Sequence, residues 1–245
     1  MPAYYHTGWQ RAVGSPSDRV QLLPATGPAF YLVSRPGGAV SAVENQVFTA
    51  AMDQARTAVH RAYGIVVARL GGTPAGAGVV PAHFDQLLEY CFRPGAIAAT
   101  IAATRTRVRD NLVRIRNGLW TPGLQIVDSN VNRGGAASGY VRCSYSELFR
   151  LRDATREQSF GGRIHIRFGN YNTANTPVNQ RNAATVIVHE GTHKFCGARD
   201  WIYNGGGFAG YAAFVAMGAA PPLAALTNAQ GLNNADSYAE LVMAM

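Results

Sequence analysis

Two histidines four residues apart constrain this chain more than any other feature of its sequence. His189 and His193 follow an apolar run, Val186-Ile187-Val188, which favours a buried helix. Residues at positions i and i+4 share one face of a helix, so the two imidazoles can hold one cation between them. Glu190 follows the first histidine, so its carboxylate can approach the same point without binding the cation. The fold must therefore bury this helix. Other segments of the chain must supply partners for its two histidines and its glutamate.

The segment His189-Glu190-Gly191-Thr192-His193 fits the HExxH pattern of zinc hydrolases. Catalytic zinc takes three protein ligands and a water molecule, whose pKa it lowers to about 7. Glu190 could take the proton of a zinc-bound water as that water attacks a carbonyl group. The pattern predicts one Zn²⁺ per chain. The structural alternative is a pair of core histidines satisfied by hydrogen bonds.

The third ligand does not follow from HExxH alone. The metzincin pattern requires glycine at position 196 and histidine at position 199, but the chain has Cys196 and Arg199. Two carboxylates remain as candidates. Glu240 would lie on a later helix, and Asp200 lies beyond Gly197, which can turn the chain back towards the metal.

Three segments, in order, resemble the aspzincin metallopeptidases, the group of deuterolysin and peptidyl-Lys metalloendopeptidase. They are the HExxH segment, the run Gly197-Ala198-Arg199-Asp200-Trp201-Ile202-Tyr203, and Asn234-Ala235-Asp236-Ser237-Tyr238. The family has a GTxDxxYG-like segment and a NADSYE-like segment in the last two places. The chain departs from that pattern at Ala198, Asn204 and Ala239.

The resemblance implies a role for each matching residue. His189, His193 and Asp200 would bind zinc, Glu190 would be the general base, and Tyr203 would donate a hydrogen bond to the oxyanion. Asp236 would lie in the pocket for the side chain that follows the scissile bond. The family's second acidic residue of that pocket is Ala239 here, and Glu240 is one position further along the helix. A shift of one residue turns a side chain by about 100°, which argues against strict lysine specificity.

For the fold, we expect a mainly helical α+β domain, zincin-like, with a small sheet whose edge strand borders the active-site cleft. Residues 1–40 are expected to be an irregular lead-in with a short strand at Phe30–Val33, and residues 41–245 a single aspzincin-like domain. Apolar spacing predicts helices over Ser41–Leu70, Ala82–Phe92 and Ala96–Asn117, the last capped by Gly118. A further helix, capped by Asn182 and closed by Gly197, would carry the HExxH motif.

Two other segments have alternative interpretations. The run Arg163–Phe168 alternates apolar and polar residues and predicts a strand. It could be the edge to which an extended substrate adds, with His165 contacting the substrate, or an interior strand. The stretch Phe208–Leu226 is apolar and rich in alanine, but glycines and Pro221-Pro222 interrupt it, so a buried or lid-forming hairpin is favoured over a membrane span.

Composition narrows the class of partner. The formal charge is +8, but the arginines are scattered apart from a run at Arg105–Arg116 whose helical period fits a solvated face, so nucleic acid is not expected. Lys194 is the only lysine. Coding bias explains this most simply, and resistance of a lysine-cleaving peptidase to its own activity is the alternative.

These features lead to expectations about function and location. We expect a monomeric zinc endopeptidase acting on protein or peptide substrates, with an inhibitor or immunity protein as a candidate partner and no stable membrane span. The N-terminal sequence shows no signal peptide, which suggests a cytoplasmic protein or an effector or toxin delivered by a signal-independent route. A non-catalytic binding module and a zinc hydrolase of non-peptide substrates are the alternatives.

Overall fold

The computed structural model describes residues 19–35, 37–72, 83–129, 139–141, 163–200 and 226–245, which combine helices with a five-stranded sheet. The strands are β1 (Arg19–Leu22), β2 (Phe30–Val33), β3 (Gln125–Asp128), β4 (Gly139–Val141) and β5 (Ile164–Ile166). The helices are α1 (Ala42–Arg69), α2 (Phe84–Phe92), α3 (Ala98–Leu119), α4 (Pro177–Cys196), α5 (Asn228–Gly231) and α6 (Ala235–Ala244). The expected mixture of α and β structure is confirmed.

The sheet has the strand order β1-β2-β3-β5-β4. Its three central strands, β2, β3 and β5, run parallel, and the two outer strands are antiparallel to their neighbours. The interpretation of Arg163–Phe168 as an edge strand is therefore wrong, because β5 is paired on both sides. Among the described strands, β4 forms that edge of the sheet. At the other edge β1 adds to β2, although only β2 was expected within the first 40 residues.

The helix boundaries follow local capping signals. Helix α1 begins after Ser41, whose hydroxyl accepts from the N–H of Glu44 while the Glu44 carboxylate accepts from the N–H of Ser41. Helix α4 begins before Asn182, the expected cap, because Thr176 caps it and Pro177 occupies its first position. Its C-terminus is where expected: Gly197 adopts φ 69° and donates its N–H to the His193 carbonyl.

Gly118 is not the helix cap that the sequence suggested. Helix α3 continues through Leu119, and Gly118 instead faces α4. A Cβ atom at this position would lie 2.4 Å from the ring of Phe195, so the missing side chain lets the two helices approach closely. Helix α4 also packs against α1 and α6, which places it at the centre of the helical layer.

We expect Gly118→Ala to lower the free energy of unfolding by about 0.5–2 kcal/mol, because overpacking of about 1–3 kcal/mol outweighs the gain of up to about 1 kcal/mol in helix propensity. Chemical denaturation measures the change. Asn117→Ala is the matched control, since residue 117 is exposed on the same helix and should show only the propensity gain. Stabilisation by both substitutions would contradict this packing.

Some expectations fall on residues outside the described part of the chain. They are the oxyanion role of Tyr203 and the hairpin expected over Phe208–Leu226, of which only Leu226 is described. Within the described residues, none of the helices combines the length and hydropathy that crossing a membrane requires.

Candidate metal centre

The HExxH motif lies on the buried side of α4. His189, Glu190 and His193 are each at most 9% exposed, because the helices around α4 cover this side. One ligand atom from each of the three residues lies within 4.8 Å of the others. His189, Glu190 and His193 therefore form a group that could hold a metal ion.

A short bridge brings Asp200 to the same group. After the turn at Gly197, the Arg199 N–H donates to the Asn233 carbonyl at 2.8 Å, and the Ala235 N–H donates to the Arg199 carbonyl at 2.9 Å. These two bonds hold the chain that follows α4 against the start of α6. Asp200, the next residue, consequently points back at the histidines.

The ligand atoms of His189, His193 and Asp200 form a nearly equilateral triangle. The two Nε2 atoms are 3.0 Å apart, and Asp200 Oδ1 lies 3.2 Å from His189 Nε2 and 3.0 Å from His193 Nε2. Tetrahedral ligands about 2.0–2.1 Å from zinc are separated by about 3.3 Å, so the triangle has the size that such an ion requires. Glu190 Oε1 is 3.9 Å from His189 Nε2, too far to belong to it. Asp200 thus fits the third ligand position better than Glu190 does.

The outer nitrogens of both rings explain why a cation fits this point. His193 Nδ1 lies 2.7 Å from the Ala198 carbonyl oxygen, and His189 Nδ1 lies 2.7 Å from Asp236 Oδ1. Both oxygens are acceptors, so both Nδ1 atoms carry a proton, and each ring in its neutral form directs an Nε2 lone pair inwards. With both rings neutral, two nitrogen lone pairs and a carboxylate oxygen meet at one point. Such an arrangement is repulsive unless a cation or added protons occupy the centre.

Without a metal, protons take that place. Burial opposes protonation of His189, but its bonds to Asp200 and Asp236 outweigh burial and raise its pKa well above the usual value. Burial likewise opposes protonation of His193, and Asp200 nevertheless raises its pKa. Burial would raise the pKa of Asp200, but the two histidines hold it well below its usual range. A metal must therefore displace protons from the histidines, so its affinity falls as the pH falls.

Glu190 lies beside the triangle and against the sheet. Burial raises the pKa of this carboxyl group to about 7, although the nearby histidines act in the opposite direction. Its Oε2 atom is buried and makes no hydrogen bond to the described residues. On β4, a Cβ atom at Gly139 would lie 2.8 Å from Glu190 Oε1. The carboxyl group therefore sits between the two histidines and the edge strand.

Asp236 contacts one of the two histidines. Its Oδ1 atom lies 2.7 Å from His189 Nδ1, and the substrate-pocket role that the resemblance implies for Asp236 stays a prediction. This contact orients the ring and increases the basicity of its inner nitrogen. The sequence contained the Asn234-Ala235-Asp236 segment but no sign of this partner, because the contact depends on the bridge at Arg199.

We expect Asp236→Asn to weaken zinc binding by about 10-fold and Asp236→Ala by up to about 100-fold, because asparagine keeps an acceptor for the ring N–H and alanine removes it. Competition with a chromophoric chelator measures the affinity. Asp110→Asn is the control, since Asp110 pairs with Arg109 at the surface. Unchanged affinity in both Asp236 variants would contradict the orienting role.

Two other predicted residues are not brought to the metal group. Glu240 is buried on α6, and its charge acts on Cys91 by raising the pKa of that buried thiol further, after burial itself. His165 is buried on β5. Gly139 pairs with Ile166 and both face α4, so strand alternation turns His165 to the opposite face of the sheet. This placement argues against a substrate-binding role for His165.

Comparison with known proteins assigns no family to this centre. A scan of protein-family models and a search of curated proteins both find no match to the chain. The chemistry of the site therefore rests on its geometry.

Proposed function

We propose that this protein is a zinc-dependent endopeptidase in which His189, His193 and Asp200 hold the metal and Glu190 is the general base. One observation carries the proposal: the Nε2 atoms of His189 and His193 and the Oδ1 atom of Asp200 converge at mutual distances of 3.0–3.2 Å. Their spacing matches a tetrahedral ion with one open position. The aspzincin resemblance implies the same three ligands.

The three ligand atoms favour zinc, but they do not by themselves exclude other metals. Two imidazoles and a carboxylate suit zinc in hydrolases, and they also hold iron(II) in oxygenases. Glu190 favours hydrolysis, because a buried carboxyl group beside the open position can move a proton. We therefore favour zinc.

Residues of the chain would transfer the proton, orient the ligands and bind the oxyanion. A zinc ion would act as a Lewis acid and supply the site with a water molecule of lowered pKa. Glu190 would take a proton from the attacking water and return it to the nitrogen of the leaving amine. Asp236 and the Ala198 carbonyl fix the two rings. Tyr203 would donate to the oxyanion, a role that rests on the resemblance alone.

The edge strand supports a peptide as the substrate. No further strand is paired beyond β4 in the part of the chain that is described, and its antiparallel partner is β5. Gly139 on that strand abuts Glu190, so an extended peptide added to β4 would run beside the general base. This edge strand beside a metal-binding helix is also the basis for proposing a zincin-like arrangement.

Hydrolysis of casein and of a quenched fluorescent peptide library tests the function. The zinc-loaded protein should cleave both, a chelator should abolish cleavage, and zinc but not iron(II) should restore it. Metal analysis of the purified protein should find about one zinc per chain, as a single catalytic site requires. A protein that binds zinc but cleaves no peptide would support a non-peptide hydrolase or a binding module instead.

The same library tests the residue preference. We expect no strict preference for lysine after the scissile bond, because Asp236 is engaged by His189 and the neighbouring acidic position of the family is Ala239. Mass spectrometry of the products gives the cleavage sites. Cleavage confined to bonds before lysine would show that another acidic group serves that pocket, and would revive self-protection as the reason for the single lysine.

A further inference from the structure

Gly139 brings strand β4 close to Glu190. The three heavy atoms nearest to a Cβ atom built on this glycine are Glu190 Oε1 at 2.8 Å, Glu190 Cγ at 2.9 Å and the His165 carbonyl oxygen at 2.9 Å. Real Cβ atoms do not approach other atoms so closely. Any side chain at position 139 must therefore move either the Glu190 side chain or β4.

We propose that Gly139 is a positioning residue for Glu190: its missing side chain leaves the space in which the carboxyl group stays beside the metal ligands. The inference rests on the proposed peptidase function and adds a determinant of the same reaction. The atoms nearest to position 139 belong to Glu190 and His165, not to the ligands His189 and His193. A methyl group there displaces the base and leaves the metal ligands in place.

Strand pairing decides which of the two neighbours moves. Gly139 pairs with Ile166 and Val141 pairs with Ile164, so β4 is tied to β5 on both sides of the contact. The Glu190 side chain can instead rotate about its own bonds, and its Oε2 atom has no hydrogen bond to a described residue that would resist rotation. The carboxyl group is therefore the part that yields most readily, and the remaining approach of 2.9 Å to the His165 carbonyl oxygen requires a small local shift of β4.

Kinetics of Gly139→Ala test the positioning role. We expect kcat to fall about 10- to 100-fold, since a displacement of about 1 Å can cost 10²-fold, while KM stays within about twofold and the zinc content is unchanged. Gly169→Ala is the matched control, because a Cβ atom at residue 169 would have no neighbour within 4 Å. Wild-type kcat in Gly139→Ala, or loss of zinc together with activity, would overturn the proposal.

A double-mutant cycle in the metal-free protein tests the contact without any activity measurement. Gly139→Ala should lower the denaturation midpoint more in the wild-type background than in Glu190→Ala, where only the contact of the added methyl group with the His165 carbonyl oxygen remains. If Gly139→Ala alone does not fold, the double variant must fold for the proposal to stand. Equal losses in both backgrounds would place the clash at β5 and overturn it. If the two substitutions are coupled but the wild-type protein cleaves no peptide, the contact between Gly139 and Glu190 is supported and the proposed peptidase function is refuted.

Discussion

Replacing Glu190 with glutamine is expected to lower kcat/KM for peptide hydrolysis by about 10²- to 10⁴-fold, the usual contribution of a general base. Glutamine has the same shape but cannot accept a proton from the attacking water. Glu190 lies outside the triangle of ligand atoms, with its Oε1 3.9 Å from His189 Nε2. The variant should therefore keep its full complement of zinc, as measured by metal analysis after gel filtration.

The control for this substitution is Glu89→Gln. Glu89 is half-exposed on α2 and pairs with Arg93, the residue after that helix, so its loss should change neither zinc content nor rate. Wild-type activity in the Glu190→Gln variant would show that Glu190 is not the general base. A variant that loses its zinc would instead make Glu190 a ligand, as its grouping with the two histidines within 4.8 Å permits.

Replacing Asp200 with alanine is expected to weaken zinc binding by more than about 100-fold, which exceeds the loss expected for a residue that only orients a ligand. The reason lies in the triangle, because Asp200 Oδ1 is 3.2 Å and 3.0 Å from the two Nε2 atoms. Without the Asp200 carboxylate, only two neutral imidazoles would bind the ion, and no negatively charged ligand would remain. Calorimetric titration with zinc measures the loss, and hydrolysis should disappear with the metal.

The matched substitution is Glu240→Gln, at the other carboxylate that the sequence offered as a ligand. Glu240 is buried on α6, and its charge acts on the Cys91 thiol. We expect this variant to bind zinc as the wild type does. If Glu240→Gln lost zinc and Asp200→Ala kept it, the chain would belong with peptidases whose third ligand is a distant glutamate.

Much of the fold and the first part of the site follow from local sequence signals. The apolar spacing over Ser41–Leu70 predicts α1, Ala42–Arg69, almost to the residue. The HExxH spacing predicts that His189 and His193 share a buried face, which they do. These features depend on residues within one or two helical turns of one another, so a single sequence contains them.

The features that the sequence did not reveal depend on contacts between distant segments. The role of Gly118 is set by Phe195 on another helix, and the choice between an edge and an interior position for Arg163–Phe168 is settled by β4. Asp236 reaches His189 because Arg199 bridges to Asn234. In each case a short-range interpretation was chemically reasonable, and a partner far away in sequence decided the outcome.

The most direct measurement is anomalous diffraction at the zinc edge from crystals of the zinc-loaded protein. The account predicts one strong peak per chain, about 2.0–2.2 Å from His189 Nε2, His193 Nε2 and an Asp200 carboxylate oxygen, with Glu190 not coordinated. A protein that takes up no zinc, or a peak that lacks Asp200 as a ligand, would contradict it.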